Sequence, residues 1–138
     1  MDLGLNVEAT GYITWTDGGS SDGDVSMTLH VDDDCRPLLV FNGRDTHTDS
    51  PGGGPGDMMI EVTPCEQWKL RDALATIKDR LAKGDHPYVR VKGRWVYDGV
   101  EAHGIHLKTI WAAIVGAPPD LTGGWTEIHP VTDIEFLR

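Results

Sequence analysis

The segment Tyr88-Val-Arg-Val-Lys-Gly-Arg-Trp-Val-Tyr-Asp98 carries the clearest secondary-structure pattern in the chain. One set of alternate positions is apolar or glycine, and the other set is cationic. The apolar set is Val89, Val91, Gly93, Trp95 and Tyr97, and the cationic set is Arg90, Lys92 and Arg94. A period of two is typical of a strand with one buried face. The segment from Trp125 to Phe136 alternates in the same way and predicts a second strand, with Pro130 at a bulge or an edge.

Alternating or short apolar segments predict the earlier strands. We expect a first strand over residues 5–15 with Gly11 at a bend, a second over 25–31, and a third over 37–41, of which 58–62 is a short continuation. Residues 42–57 are rich in glycine and proline and predict a flexible loop.

A single amphipathic helix is predicted over residues 64–83. Thr63 is a suitable N-cap, Pro64 suits the first helical position, and Glu66 can complete a capping box. Apolar residues then recur at helical spacing until Gly84, which suits a C-terminal cap.

The predicted order, three strands, one helix and two strands, resembles that of an OB-fold, a small five-stranded barrel. The resemblance covers about residues 5–136 of a single domain, 1–138, and residues 98–124 are then a long insertion between the last two strands. The two closing strands are also similar to segments of small uncharacterised bacterial proteins. Both resemblances imply a mainly β barrel, and neither implies an activity.

The composition limits the classes of partner. The chain of 138 residues carries a formal charge of −10, which disfavours generic binding to nucleic acid. It has neither a signal-peptide pattern nor an apolar run of about 18 residues, so we expect a cytoplasmic protein with no membrane partner. Cys35 and Cys65 lack a zinc-binding spacing and are interpreted as structural.

One group of residues could bind a divalent metal such as zinc or manganese. It consists of Asp98, Glu101, His103 and His106 in the insertion and of Glu127 and His129 in the last strand. Residues two apart in a strand point the same way, so Glu127 and His129 should lie side by side. Imidazole and carboxylate groups suit zinc, manganese or iron and could support hydrolysis. The alternative is that Glu127 and His129 form structural contacts with each other or with Arg94.

The sequence favours a non-enzymatic binding or assembly module that needs no cofactor. Ile110, Trp111 and Ile114 make the insertion more apolar than a solvated loop requires, which predicts contact with a protein partner, a small ligand or a second copy. A metal-dependent hydrolase is the second hypothesis. Single-stranded nucleic-acid binding through Arg90, Lys92 and Arg94 is the third, although the same cations could simply balance nearby acids.

Overall fold

A computed structural model describes residues 2–19, 23–48, 53–98 and 124–138. Seven strands and three helical segments occur in these ranges. The strands are β1 (Asp2–Thr16), β2 (Val25–Val31), β3 (Val40–Phe41), β4 (Arg44–Asp45), β5 (Asp57–Val62), β6 (Tyr88–Asp98) and β7 (Trp125–Phe136). The helical segments are a 3-10 helix (Asp33–Leu39), α1 (Pro64–Gln67) and α2 (Arg71–Ala82). Among the described residues, none of the helices has the length and apolarity needed to cross a membrane.

Five of the strands form a closed barrel in the order β1-β2-β5-β7-β6. Neighbouring strands are antiparallel except β5 and β7, which are parallel. The predicted fold class is therefore confirmed: a mainly β protein whose five-stranded barrel is compatible with an OB-like barrel. Residues 99–123 of the predicted insertion are not among the described residues.

The barrel interior is filled by apolar residues from all five strands. Its fully buried members include Ile13, Met27, Leu29, Met58, Ile60, Val89, Val91, Ile128 and Val131. Helix α2 adds Ile77 near the C-terminal end of β1. The 3-10 helix adds Leu39 at the opposite end, where the indole of Trp95 donates to the carbonyl of Leu38 at 3.0 Å.

The prediction of a third strand over residues 37–41 was wrong. Most of this segment is 3-10 helix, and only Val40–Phe41 is extended, in a two-stranded hairpin with β4 outside the barrel. Pro37 has no N–H to give to a ladder, and the amide of Cys35 instead closes a turn onto the carbonyl of Asp32. The third barrel strand is β5, which was predicted only as a continuation.

The single predicted helix is divided in two. Helix α1 ends at Gln67 and α2 begins at Arg71, with Leu70 outside helical geometry at φ −100° and ψ 10°. At the break the guanidinium of Arg71 donates to the carbonyl of Trp68 at 2.7 Å. The amide of Leu70 donates to the carbonyl of Glu66, and that of Leu74 to the carbonyl of Leu70, so helical hydrogen bonds occur on both sides of the break. The side chain of Thr63 makes no capping hydrogen bond, whereas Gly84 has the expected left-handed φ of 78°.

Gly93 allows β6 and β7 to approach closely. A Cβ at this position would lie 2.3 Å from the carbonyl oxygen of Pro130. The register of the β6–β7 ladder shifts on both sides of Gly93, so the bulge predicted at Pro130 is present. The shift changes the phase of β7, so that Val131 is buried and Thr132 is exposed, whereas strict alternation from Ile128 would bury Thr132.

Candidate functional site

The N-terminal part of β7 carries Glu127 and His129, which the sequence predicted to lie side by side. Nδ1 of His129 lies 3.2 Å from Oε1 of Glu127. Glu127 is only 1% exposed, which is rare for a carboxylate and requires polar or cationic neighbours. Of the alternatives left open above, Glu127 therefore contacts His129, and Arg94 instead binds Asp2.

Two neighbouring strands bring two more carboxylates to the same ring. In the parallel ladder Met59 lies opposite Glu127, so Glu61 lies beside His129 with Oε2 at 3.2 Å from Nδ1. Asp24 immediately precedes β2, and its Oδ2 lies 3.3 Å from Nε2 of His129. Both ring nitrogens of His129 thus face carboxylates. We call Asp24, Glu61, Glu127 and His129 the His129 cluster.

Neighbouring donors orient the two glutamates of the His129 cluster. The hydroxyl of Ser26, which lies opposite Glu61 in the β2–β5 ladder, donates to Oε1 of Glu61 at 3.0 Å. The indole of Trp125 donates to Oε2 of Glu127 at 3.2 Å. These bonds hold one oxygen of each carboxylate and leave the other directed at His129.

The electrostatics of the cluster favour bound protons. The hydrogen bond with Glu127 raises the pKa of His129 to about 9 against the opposing effect of burial, and the charges of Glu61 and Asp24 add to the increase. Burial, followed by the charge of Glu127, raises the pKa of Glu61 to about 7. At neutral pH His129 is an imidazolium, and it supplies the positive charge that the carboxylates require.

The same geometry is suited to a metal ion. One ligand atom from each of Asp24, Glu61 and His129 can be chosen so that all lie within 4.8 Å of one another. Ligands around a single transition-metal ion at about 2.0–2.2 Å lie within this separation. One imidazole with carboxylates suits zinc, manganese or iron.

Sequence reasoning found half of the cluster. Glu127 and His129 were named, but Asp24 and Glu61 were not. The available signal was the alternation of β2 and β5, which places Ser26 and Glu61 away from the core, but only the register of the ladders shows that these positions meet β7.

The other predicted metal ligands are not placed by the structure. Glu101, His103 and His106 lie outside the described residues. The backbone of Asp98 is paired opposite Trp125 at the end of β6, two residues along β7 from Glu127. The predicted contact residues Ile110, Trp111 and Ile114 also lie outside the described residues.

The cationic face of β6 is largely neutralised by acids. Arg90 contacts Glu8 at 2.7 Å and Glu135 at 2.8 Å. Arg94 contacts Asp2 at 2.9 Å, and this hydrogen-bonded guanidinium lowers the pKa of Asp2. Lys92 is exposed between them. These ion pairs reduce the charge available to a phosphate backbone.

A second histidine makes a simpler contact on the neighbouring ladder. Nδ1 of His30 lies 2.9 Å from Oδ1 of Asp57, directly opposite in the β2–β5 pairing. The other oxygen of Asp57 accepts the amide N–H of Gly54 at 2.8 Å. This pair, which we call the His30 pair, has one carboxylate, and the side chain of His30 is 48% exposed.

Comparison of the chain with protein-family models, with curated proteins and with solved structures finds no match.

Proposed function

We propose that this protein is a metal-binding barrel that holds one divalent ion, zinc or manganese, through Asp24, Glu61 and His129. The observation that carries the proposal is the convergence of three carboxylates on both nitrogens of one imidazole, each within 3.3 Å. An isolated His–carboxylate pair would use one nitrogen only.

In this proposal Glu127 positions the imidazole of His129, which binds the ion. Metal-binding histidines commonly donate their second ring N–H to a carboxylate, which fixes the tautomer and raises the basicity of the ligand. Glu127 is suited to this role because it is buried and contacts Nδ1, whereas Nε2 faces Asp24. Glu61 also lies 3.2 Å from Nδ1, so its carboxylate has to turn towards the ion when the ion binds Nε2.

Charge balance supports a cation at this position. Three carboxylates share one imidazolium. Burial raises the pKa of Glu61 most, and the charge of Glu127 adds to the increase despite the opposing charge of His129. A divalent ion supplies twice the charge of the imidazolium and displaces its proton.

The test is zinc and manganese binding by isothermal titration calorimetry, with metal content of the dialysed protein measured by mass spectrometry. Wild-type protein is expected to bind one ion per chain. The His129→Ala variant is expected to lose this binding, and the matched His30→Ala variant is expected to retain it. Absence of binding to the wild type, or equal loss in both variants, would reject the site.

Metal-dependent hydrolysis is a second candidate function, because solvent reaches the cluster. The side chains of His129 and Asp24 are 30% and 15% exposed, so a coordination position is open to water, as catalytic metal sites require. The OB-like strand order equally supports a binding role without chemistry. Hydrolysis of phosphate and carboxylate esters by the zinc-loaded protein, absent in His129→Ala, would distinguish the two.

A further inference from the structure

A cleft lies between helix α2 and the end of the β1–β2 hairpin. Its narrow part has a volume of about 130 Å³ and its wide part a volume of about 500 Å³. Thr16, Gly18 and Lys78 line both parts, so the two parts are continuous. All the lining residues belong to the described part of the chain. A cleft of this size is typical of sites for small molecules.

Small residues on both walls explain why the cleft is open. Ala75, Lys78 and Ala82 lie three and four positions apart, share one face of α2 and line the cleft. Ile77, which is 1% exposed, anchors the helix to the barrel core. The two alanines and Gly18 on the facing turn leave the space between the helix and the hairpin unfilled.

The narrow part of the cleft is apolar. Four aliphatic side chains line it: Val25, Met27, Leu74 and Ile77. The hydroxyl of Thr16 donates to the carbonyl of Ser26 at 3.1 Å and accepts the amide N–H of Gly18 at 3.2 Å, so this polar group is already satisfied. A ligand group that enters the narrow part should therefore be apolar, because a polar group would lose its hydrogen bonds to water there.

The wide part of the cleft offers N–H donors. Lys78 and His86 both line it, next to the apolar surface of Trp15. The ammonium group of lysine has three donors, and an imidazole keeps at least one N–H donor in either protonation state. Lys78 and His86 form no hydrogen bond or ion pair within the described part of the chain.

The negative groups around the wide part are already engaged. Asp17 also lines the wide part, and its Oδ1 accepts the amides of Gly19 and Ser26 at 2.8 and 3.0 Å. Asp85 is paired with Arg80 at 2.6 Å. The last carbonyls of α2 accept hydrogen bonds from amides that follow the helix. The N–H donors of the wide part thus remain available to an anion.

We propose that the cleft binds a medium-chain fatty carboxylate, with the alkyl chain in the narrow part and the carboxylate at Lys78 and His86. An apolar cavity of about 150 Å³ holds a benzene ring, so the narrow part accommodates about six carbon atoms. Octanoate is the matching probe, because its chain fills the narrow part and leaves the carboxylate in the wide part. The lining residues do not include the His129 cluster, so this site is independent of the proposed metal ion.

The first test is a proton–nitrogen NMR titration of the metal-free protein with octanoate and, separately, with octylammonium, which has the same chain and the opposite charge. Octanoate should cause saturable shifts of the amides of Gly18, Ala75 and Lys78. Octylammonium should bind much more weakly. Absence of saturable shifts, shifts centred elsewhere on the barrel, or equal binding of the two probes would overturn the proposal.

A variant that fills the narrow part tests the location of the chain. Ala75→Phe places a ring in the narrow part and should abolish octanoate binding. The matched Thr76→Phe variant should bind as wild type, because Thr76 is the next residue of α2, is exposed and lies outside the cleft lining. Equal affinities of the two variants for octanoate would overturn the proposal.

A lysine substitution tests the carboxylate contact and does not depend on the stability of Ala75→Phe. Lys78→Gln should weaken octanoate binding about threefold, the effect of losing one exposed ion pair. Lys69→Gln should leave the affinity unchanged, because Lys69 is exposed and pairs with Glu66 outside the cleft. An unchanged affinity in Lys78→Gln would contradict the proposed orientation of the ligand.

Discussion

The two histidines of the β2–β5–β7 face show how neighbouring strands change the chemistry of the same side chain. Among the residues that the structure describes, His30 meets one carboxylate, that of Asp57, and its side chain is nearly half exposed. His129 meets three carboxylates, and its side chain is 30% exposed. The difference comes from topology, because β7 is parallel to β5 and thereby places Glu61 beside His129.

A histidine on a sheet face becomes a candidate cation site when several strands bring carboxylates to its ring. A single exposed ion pair contributes little to stability. A buried carboxylate such as Glu127, by contrast, depends on its imidazolium, and removal of one partner of such a pair is costly.

The largest expected effect is the loss of stability when the imidazole is removed. His129→Ala leaves the buried carboxylate of Glu127 without the imidazolium and is expected to lower the free energy of unfolding by about 3–5 kcal/mol at pH 7. His30→Ala is expected to lower it by less than about 1 kcal/mol. Urea denaturation of both variants measures the difference, and equal losses would remove the distinction between the two sites.

The second effect is a dependence of stability on pH. The pKa of His129 is raised from 6.5 to about 9, so between these values the folded protein holds a proton that the unfolded chain releases. The stabilisation is complete below pH 6.5 and falls by up to about 3 kcal/mol as the pH rises towards 9. The pKa of Glu61 is raised from 4.5 to about 7, so its contribution to stability also falls as the pH rises between these two values.

Denaturation across this pH range should show the decline in wild-type protein. The His129→Ala variant should lose the part of the decline that His129 causes and keep the part that Glu61 causes, whose pKa rises further without the charge of His129. His30→Ala should retain the whole decline. Parallel pH profiles for wild type and His129→Ala would contradict the assignment of the proton to His129.

The third effect concerns the register shift opposite Gly93, which lies next to His129 in β7. In Gly93→Ala the added methyl group would lie 2.3 Å from the carbonyl oxygen of Pro130, and such overpacking costs about 1–3 kcal/mol. Gly84→Ala has no neighbour within 4 Å and pays only for its left-handed φ, about 1 kcal/mol. Thermal unfolding separates the two, and a larger loss for Gly84→Ala would show that the strands can move apart freely.

The smallest expected effect is at Ser26. Its hydroxyl bonds to Glu61 and lowers the pKa of that carboxyl, so Ser26→Ala should raise this pKa further and destabilise the protein by about 1 kcal/mol. Ser26→Thr keeps the hydroxyl and serves as the control. Carboxyl-carbon NMR titration of Glu61 measures the change, and an unchanged or lower pKa in Ser26→Ala would contradict the described bond.

The sequence predicted the elements whose local pattern matches their final environment. Alternation identified β6 and β7 with the observed bounds, and the strand β2 likewise. The sequence prediction was wrong for residues 37–41, because a short apolar run is compatible with a strand and with a 3-10 helix that covers the end of the barrel. The break between α1 and α2 lies at Leu70, whose non-helical backbone angles are not revealed by helical periodicity.

The candidate site was half predictable for a related reason. Glu127 and His129 are two residues apart in one strand, so local geometry brings them together. Asp24 and Glu61 reach His129 only through the β2–β5 and β5–β7 registers, which depend on how the barrel closes. Long-range register is a property of the whole fold, and no spacing in the sequence records it.

The most direct test of the central claim is a long-range proton–nitrogen NMR titration of the histidine rings with and without zinc. Without metal, His129 should titrate near pH 9 with both nitrogens protonated at neutral pH. At pH 7 one equivalent of zinc should remove one ring proton from His129 and leave the His30 signals unchanged. A His129 ring that titrates near 6.5 and does not respond to zinc would contradict the account.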